Sequence, residues 1–438
     1  MRSVTTFLAS SPTDVDPDVG IDDSAEAGSP VTEVLSRPVA DRVQAGVQGL
    51  VRRISEQAAM PLDESRALPA QAYWDPEFYA YELEHIWRKD WICLGRIEEV
   101  PEKGSYRSFD LAGEPLMVVR SADDRVRVFS RVCRHRYADL MGGEKTPVER
   151  VSGCVQRFEC PYHAWIYRLD GSLLSAPEMS SRPGFDKSAN GLHEIRSEVW
   201  QGFVFVNLDD DTDIPFDMRA IEQLQDGYDF DEWEIASVID WGESVVNWKI
   251  VVENFLECYH HIGIHKNVLQ PLWRLGRVER GDHVGSDYYF ARMMAGTEVA
   301  IGEEDGHLLH PLFLPAKTGL SAFQRSHTLL LAKFPAYLIA PGPDITFWFR
   351  SLPTGAETHR LEMHLMVPKE HRGVPDFDEK MREATDFLTL VQSQDASVNE
   401  AVQRSTRSKF AEGGLLQAHE QPLWQLQKYL TSRLPLAD

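Results

Sequence analysis

The sequence predicts an α+β chain, with a small antiparallel β domain ahead of a larger domain of antiparallel strands and long helices. Three observations carry this. Between residues 91 and 207, short β-like runs alternate with Gly and Asp-Gly turns, most clearly Asp170-Gly171. Residues 327–339, 344–352 and 358–367 then read as three successive strands joined by Pro/Gly turns. Residues 376–406 follow as one helix, with Met381, Phe387, Leu388, Val391, Val398 and Val402 at its apolar positions.

Taken in order, the 438 residues divide into 1–66, 67–208 and 209–438, and a 43% apolar content is enough to give the last two segments cores. Residues 1–36 cluster Asp14, Asp16, Asp18, Asp22 and Asp23 among Ser and Pro, a composition that reads as a disordered acidic tail. Val39, Val43, Val47, Leu50 and Ile54 recur at helical spacing, which fits a helix docked on the chain's own surface or one that binds a partner. The net charge of −23 argues against nucleic acid or an anionic membrane as partner. No apolar run reaches membrane-spanning length, and the N-terminal apolar patch is too short for a signal peptide. Five cysteines (93, 133, 154, 160 and 258) without scaffold spacing suit a reducing cytoplasm.

Asp75-Pro76 opens a helix running to about Trp87. Strands follow at 91–94, 115–120, 126–129, 165–167 and 203–207, and they enclose a pattern with its own chemistry: Cys133-Arg-His135, then Cys160-Pro-Tyr-His163. Two mixed Cys/His pairs supply the two thiolates and two imidazoles of a Rieske [2Fe–2S] centre. A Cys2His2 zinc site has the same inventory but usually pairs Cys with Cys and His with His. Cys154, with no His at the right offset, reads as a structural thiol, and Cys93 and Cys258 as core residues. Tyr162 and Trp165 are expected to shield the sulfurs.

The third segment contains the stretch Asn247-Trp-Lys-Ile-Val-Val-Glu-Asn-Phe-Leu-Glu-Cys-Tyr-His-His-Ile-Gly-Ile-His265, with 241–248 leading into it. Its apolar run reads as a buried helix ending near Gly263, with His260 and His265 on one cavity if the helix loosens there. Two imidazoles and one carboxylate make the facial triad of a mononuclear Fe(II) site. Asp395, on a helix face read as mostly apolar, is the candidate carboxylate, because an unpaired buried carboxylate is costly. Asp386 is its rival, and His261 is the rival of His260. His307, His310, His359 and His364 lack carboxylate company at ligand spacing and default to surface or pocket roles.

The segments CRHRYADL, CPYHAWIYRLDGSL, WQGFVFVNLD, NWKIVVENFLECYHHIGIH and QDASVNEAVQ together resemble the large (alpha) terminal-oxygenase subunits of Rieske non-haem iron oxygenases, from about residue 70 to the end. The resemblance implies a helix-grip catalytic domain, a curved sheet around the long helix. It assigns Cys133, His135, Cys160 and His163 to the cluster, and His260, His265 and Asp395 to the iron. It also implies that Glu257, where many members have Asp, bridges an iron ligand to a cluster histidine of the neighbouring subunit in a head-to-tail ring, most simply a homotrimer. The gap of 24 residues between His135 and Cys160 is long for the family, with 142–150 as the insertion. Electrons would come from a separate ferredoxin or flavin reductase, since the chain has no dinucleotide fingerprint of its own. The implied activity is O2-dependent hydroxylation or oxidative demethylation of a small organic substrate. Glu at 257 is similar to members that act on N-methylated or quaternary-ammonium compounds without a beta subunit. Aromatic cis-dihydroxylation is the alternative within the family, and a non-catalytic Rieske electron carrier the alternative outside it.

Overall fold

The computed structural model describes residues 39–142, 152–211, 213–280, 288–294, 302–304, 307–309 and 312–436. The expected tail 1–36, all but Gly142 of the expected insertion, and His310 lie outside these residues. By contacts, Gly46–Asp438 forms one unit, separate from Met1–Ala45.

Helix α1 (Val39–Ala58) has the predicted spacing, and Val47, Leu50, Val51 and Ile54 are buried in the core of the second unit. Over these residues the helix is docked on its own chain. Helix α2 (Pro76–Glu82) starts where Asp75 accepts from the backbone N–H of Glu77 (2.9 Å) and Phe78 (3.2 Å), and Leu83–Trp87 extend it as a wider turn.

The first sheet begins with β1 (Ile92–Arg96), β2 (Ser105–Leu111), β3 (Glu114–Arg120), β4 (Val126–Ser130) and β5 (Ser152–Cys154). A separate three-stranded sheet, β6 (Phe158–Glu159), β7 (Ile166–Tyr167) and β8 (Leu173–Ser175), is inserted before β9 (Glu194–Trp200) and β10 (Phe203–Asn207). The order β1-β10-β9-β4-β3-β2-β5 is antiparallel throughout. Strands β2 and β9 were not expected. Their exposed faces carry Asp110, Glu194, Arg196 and Glu198, so their apolar alternation is faint.

The second sheet runs β11 (Trp233–Ser244), then, after helix α4 (Trp248–Leu256), β12 (Glu279–Arg280) and β13 (Tyr288–Met294). A short helix, α3 (Arg219–Leu224), precedes it, and the hairpin β14 (Gly302–Glu304)–β15 (His307–Leu309) and helix α5 (Ala322–Ser326) lie between β13 and β16 (His327–Lys333). The sheet is completed by β17 (Tyr337–Ala340), β18 (Thr346–Gly355) and β19 (Thr358–Pro368), in the order β11-β19-β18-β17-β16-β13-β12. The expected single strand at 327–339 is two, because Pro335 lies between them and has no N–H for the ladder. Register shifts at Ile235/Ser237 and Asp240/Gly242 bend β11 around the helices.

Helix α6 (Phe377–Ser405) packs on β11 and α4, and Thr385 Oγ1 donates to Ser237 Oγ at 3.2 Å. Its buried face is apolar only at Phe377, Met381 and Ala384. Further on it is Gln392, Asp395, Asn399 and Gln403, while Val402 is exposed. The reading of Asp395 as a carboxylate on an apolar face is therefore corrected: it stands in a polar stripe. Helix α7 (Gln421–Arg433) closes the chain. Where the two sheets meet, Arg350 and Arg107 bind Glu99 and Glu362, with Arg350 Nη1 2.8 Å from Glu362 Oε2. Among the described residues, no helix is long and apolar enough to cross a membrane.

Candidate metal centres

The two Cys/His pairs sit on loops with the same backbone pattern. Cys133 donates its N–H to Ala138 O (2.8 Å) and its carbonyl accepts from Tyr137 N (3.1 Å); Cys160 does the same with Trp165 O (2.8 Å) and Ala164 N (3.1 Å). The residue closing each turn is left-handed, Tyr137 at φ 62° and Ala164 at φ 54°. Each loop therefore curls around its own cysteine and turns its histidine toward the other loop. The His135 and His163 ring centroids are 4.5 Å apart. Cys133 and Cys160 are buried, and burial holds the Cys160 thiol above its usual range, so a metal bound there would displace a proton.

Trp165 stacks flat on His135 at 4.8 Å, but Tyr162 is 53% exposed and lies over His163. Of the two expected shields, only Trp165 is buried. Tyr167, which the sequence did not single out, places its hydroxyl 3.1 Å from Cys133 Sγ. Cys93 and Cys258 are buried as expected, whereas Cys154 is exposed on β5, so its reading as a structural thiol is corrected. His135 Nδ1 is buried without a hydrogen-bond partner. Two thiols, two facing imidazoles and an orphaned ring nitrogen fit a Rieske cluster.

The second centre begins at α4, capped by the Asn247 side chain on Lys249 N–H. The helix ends at Leu256, seven residues before the expected end at Gly263. Glu257 takes extended backbone, and its carboxylate folds forward onto the next turn. Oε2 accepts from His260 N–H (3.1 Å) and Oε1 lies 2.5 Å from His260 Nδ1. That local cap replaces the helix and frees His260 to face His265.

The ligand atoms of His260, His265 and Asp395 all lie within 4.8 Å of one another. Asp395 Oδ1 is 2.9 Å from His265 Nε2 and 3.6 Å from His260 Nε2. Neighbouring donors around one ion at bond lengths of about 2.1 Å lie roughly 3 Å apart, so these side chains fit a single ion. Asn254 Nδ2 donates to Asp395 Oδ1 (3.2 Å), and Gln394 Oε1 meets His265 Nδ1 at 2.7 Å. Neither residue was given a role from the sequence. Asn254 lies three positions before Glu257 and Gln394 directly before Asp395, which was the available signal. Burial lowers the His260 pKa, but the Glu257 hydrogen bond and charge, with Asp395, outweigh it and the net shift is upward.

Neither Asp386 nor His261 belongs to this group of three. Asp386 is exposed. His261 is buried with Nδ1 unpartnered and held down to about 3 by burial and the two neighbouring imidazoles, and it lines the cavity beside the triad. His359 and His364 are core residues and neither surface nor pocket groups: His359 Nδ1 bonds Val246 O (2.7 Å) and His364 Nε2 lies 3.2 Å from Glu362. His364 thus has the carboxylate company the sequence did not reveal. The cavity, about 100 Å³, is lined by the triad, His261 and the rings of Phe255, Phe347, Phe349 and Trp273.

The chain matches the Rieske [2Fe-2S] domain family over residues 90–192 and the ring hydroxylating alpha subunit (catalytic domain) family over residues 230–435. It is 34% identical over 212 residues to a glycine betaine monooxygenase oxygenase subunit of Pseudomonas aeruginosa, covering 48% of this chain and 47% of that one. It is 35% identical over 200 residues to a 2-aminobenzenesulfonate 2,3-dioxygenase subunit alpha of Alcaligenes sp., covering 44% and 48%. The matches thus span about half the length of these relatives. Among solved structures, a quaternary ammonium Rieske monooxygenase described for carnitine oxidation superposes with a TM-score of 0.70 at 22% identity, covering 86% of this chain and 98% of that one. The chain thus carries a Rieske [2Fe-2S] domain followed by a catalytic domain of the ring hydroxylating alpha-subunit type.

Proposed function

We propose that the chain is a terminal oxygenase, passing electrons from a separate ferredoxin or flavin reductase through Cys133, His135, Cys160 and His163 to an iron held by His260, His265 and Asp395. The observation that carries this is the pair of independent donor sets, one thiolate-imidazole and one imidazole-carboxylate. An electron carrier has no use for the second set. Residues 67–208 would form the cluster domain and 209–438 the catalytic domain. When bound, the cluster supplies one-electron storage and the ferrous ion supplies O2 activation. The chain's own residues hold Nδ1 of His260 and of His265, donate to Asp395 and line the cavity with aromatic rings.

For the substrate we infer an N-methylated or quaternary-ammonium compound. The glycine betaine relative supports this, and so does the pocket. Phe255, Phe347 and Phe349 stand edge-on to one another at 5.2–6.2 Å, a cage suited to a methylated cation. Aromatic ring dihydroxylation is the second reading, favoured by the aminobenzenesulfonate relative and by the same apolar rings. Reductase-coupled O2 uptake against betaines, aromatic acids and polycyclic compounds tests both. Uptake with product only from the aromatic compounds rejects the first reading, and no coupled uptake with any class rejects the oxygenase.

The assembly is inferred to be a head-to-tail homotrimer, with each cluster beside the neighbour's iron. Glu257 and His260 line the wall of an open groove of about 780 Å³, where a neighbour's cluster histidine could reach the carboxylate that already holds His260. Co-expressing Cys133→Ser with His260→Ala makes some interfaces with both centres intact, so activity returns in part. A mixed ring that forms and stays inactive places the transfer within one chain.

A further inference from the structure

A histidine that gives one ring nitrogen to a metal must carry its proton on the other, and that proton needs an acceptor. His260 has the Glu257 carboxylate, from its own loop. His265 is fully buried, which leaves its acceptor to the protein. Gln394 Oε1 is 2.7 Å from its Nδ1, while Asp395 Oδ1 is 2.9 Å from its Nε2. Consecutive residues of α6 thus straddle one imidazole, since adjacent side chains leave a helix about 100° apart. One helix turn supplies both the ligand and the group that aims its partner. The two braces also differ in charge. Glu257, Asp395 and Glu420 already place carboxylates around His260, and the amide holds His265 without adding another.

We propose that Gln394 is the positioning residue of this centre, fixing the His265 tautomer so that Nε2 faces the ion. This rests on reading His260, His265 and Asp395 as metal ligands.

The test uses full-length protein with its cluster in place, stripped of mononuclear metal by dialysis against a chelator and titrated with Co(II), whose visible bands report the ligand field. Gln394→Leu, with cluster absorbance and melting curve as controls of folding, is expected to weaken Co(II) binding about 10–100-fold. Gln394→Glu, which keeps an acceptor and adds charge, is expected to bind Co(II) at least as tightly as the parent. Parent-like affinity and spectrum in a folded Gln394→Leu overturn the proposal. So does weakened binding in Gln394→Glu, which decides the matter if the leucine variant does not fold. His265→Ala separates the two levels: unchanged Co(II) binding there rejects the metal site itself, whereas a loss there beside an unaffected Gln394→Leu rejects only the role of Gln394.

Discussion

Lys249 and Glu82 make the sharpest stability prediction, because both side chains are fully buried and they tie α2 to the helix that leads to the iron ligands. Lys249 Nζ lies 2.8 and 3.0 Å from the two Glu82 oxygens, and Trp248 Nε1 donates to the same carboxylate at 3.2 Å. Removing one partner strands the other, which then sheds its charge. In Lys249→Met, Glu82 must take up a proton. From its ordinary value of 4.5 this costs about 3.4 kcal/mol at pH 7, falling by about 1.4 kcal/mol for each pH unit toward acid. In Glu82→Gln, Lys249 must lose one. From 10.5 this costs about 4.8 kcal/mol at pH 7 and falls toward alkali. The Tyr73, Phe78 and Trp248 rings around Lys249 soften the second figure. The double variant should lie near the parent with little pH slope of its own. Guanidinium unfolding between pH 5.5 and 9, followed by circular dichroism, measures all three against the parent. The two single variants should show deficits with opposite pH slopes. Parallel or flat deficits would refute a buried ion pair.

Glu253 accepts from Tyr73 OH at 2.9 Å, and burial raises its pKa to about 8. A carboxylate raised in this way is tolerated protonated and costs stability as pH rises through 8. Glu253→Gln should therefore match the parent near pH 5 and melt higher above pH 8, by up to a few kcal/mol; a lower melting point at alkaline pH would mean that Lys249 needs the charge. Tyr167→Phe removes the hydroxyl beside Cys133 Sγ and should lower the cluster's reduction potential, read by protein-film voltammetry, while leaving the iron content intact. An unchanged potential would show that this contact does not reach the cluster.

The ligands were legible because they sit in short, local patterns: Cys133–His135, Cys160–His163 and His260–His265 are each at most five positions apart. Asp395 needed the resemblance, since its helix face is polar where an apolar one was expected. The end of α4 was misread because nothing in the apolar run signals that Glu257 will fold onto His260 and cap a new turn there. Gln394, Asn254 and Tyr167 went unassigned because their partners are distant in sequence, 129 positions for Gln394 and His265. In the sheets, β10 was read to the residue from its uninterrupted apolar run, whereas β2 and β9 were hidden by charged outer faces. His364 was placed outside the core because the Arg350, Arg107 and Glu99 partners that make Glu362 tolerable beside it come from other strands and loops.

The central claim is that one chain holds two different iron centres, and metal analysis tests it most directly. Anaerobically purified protein should contain three irons and two acid-labile sulfides per chain, by the stoichiometry of a two-iron cluster plus one ion. Cys133→Ser should lose the cluster and its visible absorption, His260→Ala should lose only the single iron, and His261→Ala should lose neither. Zinc in the Cys133–His163 site, with no visible absorption and no sulfide, would contradict the account.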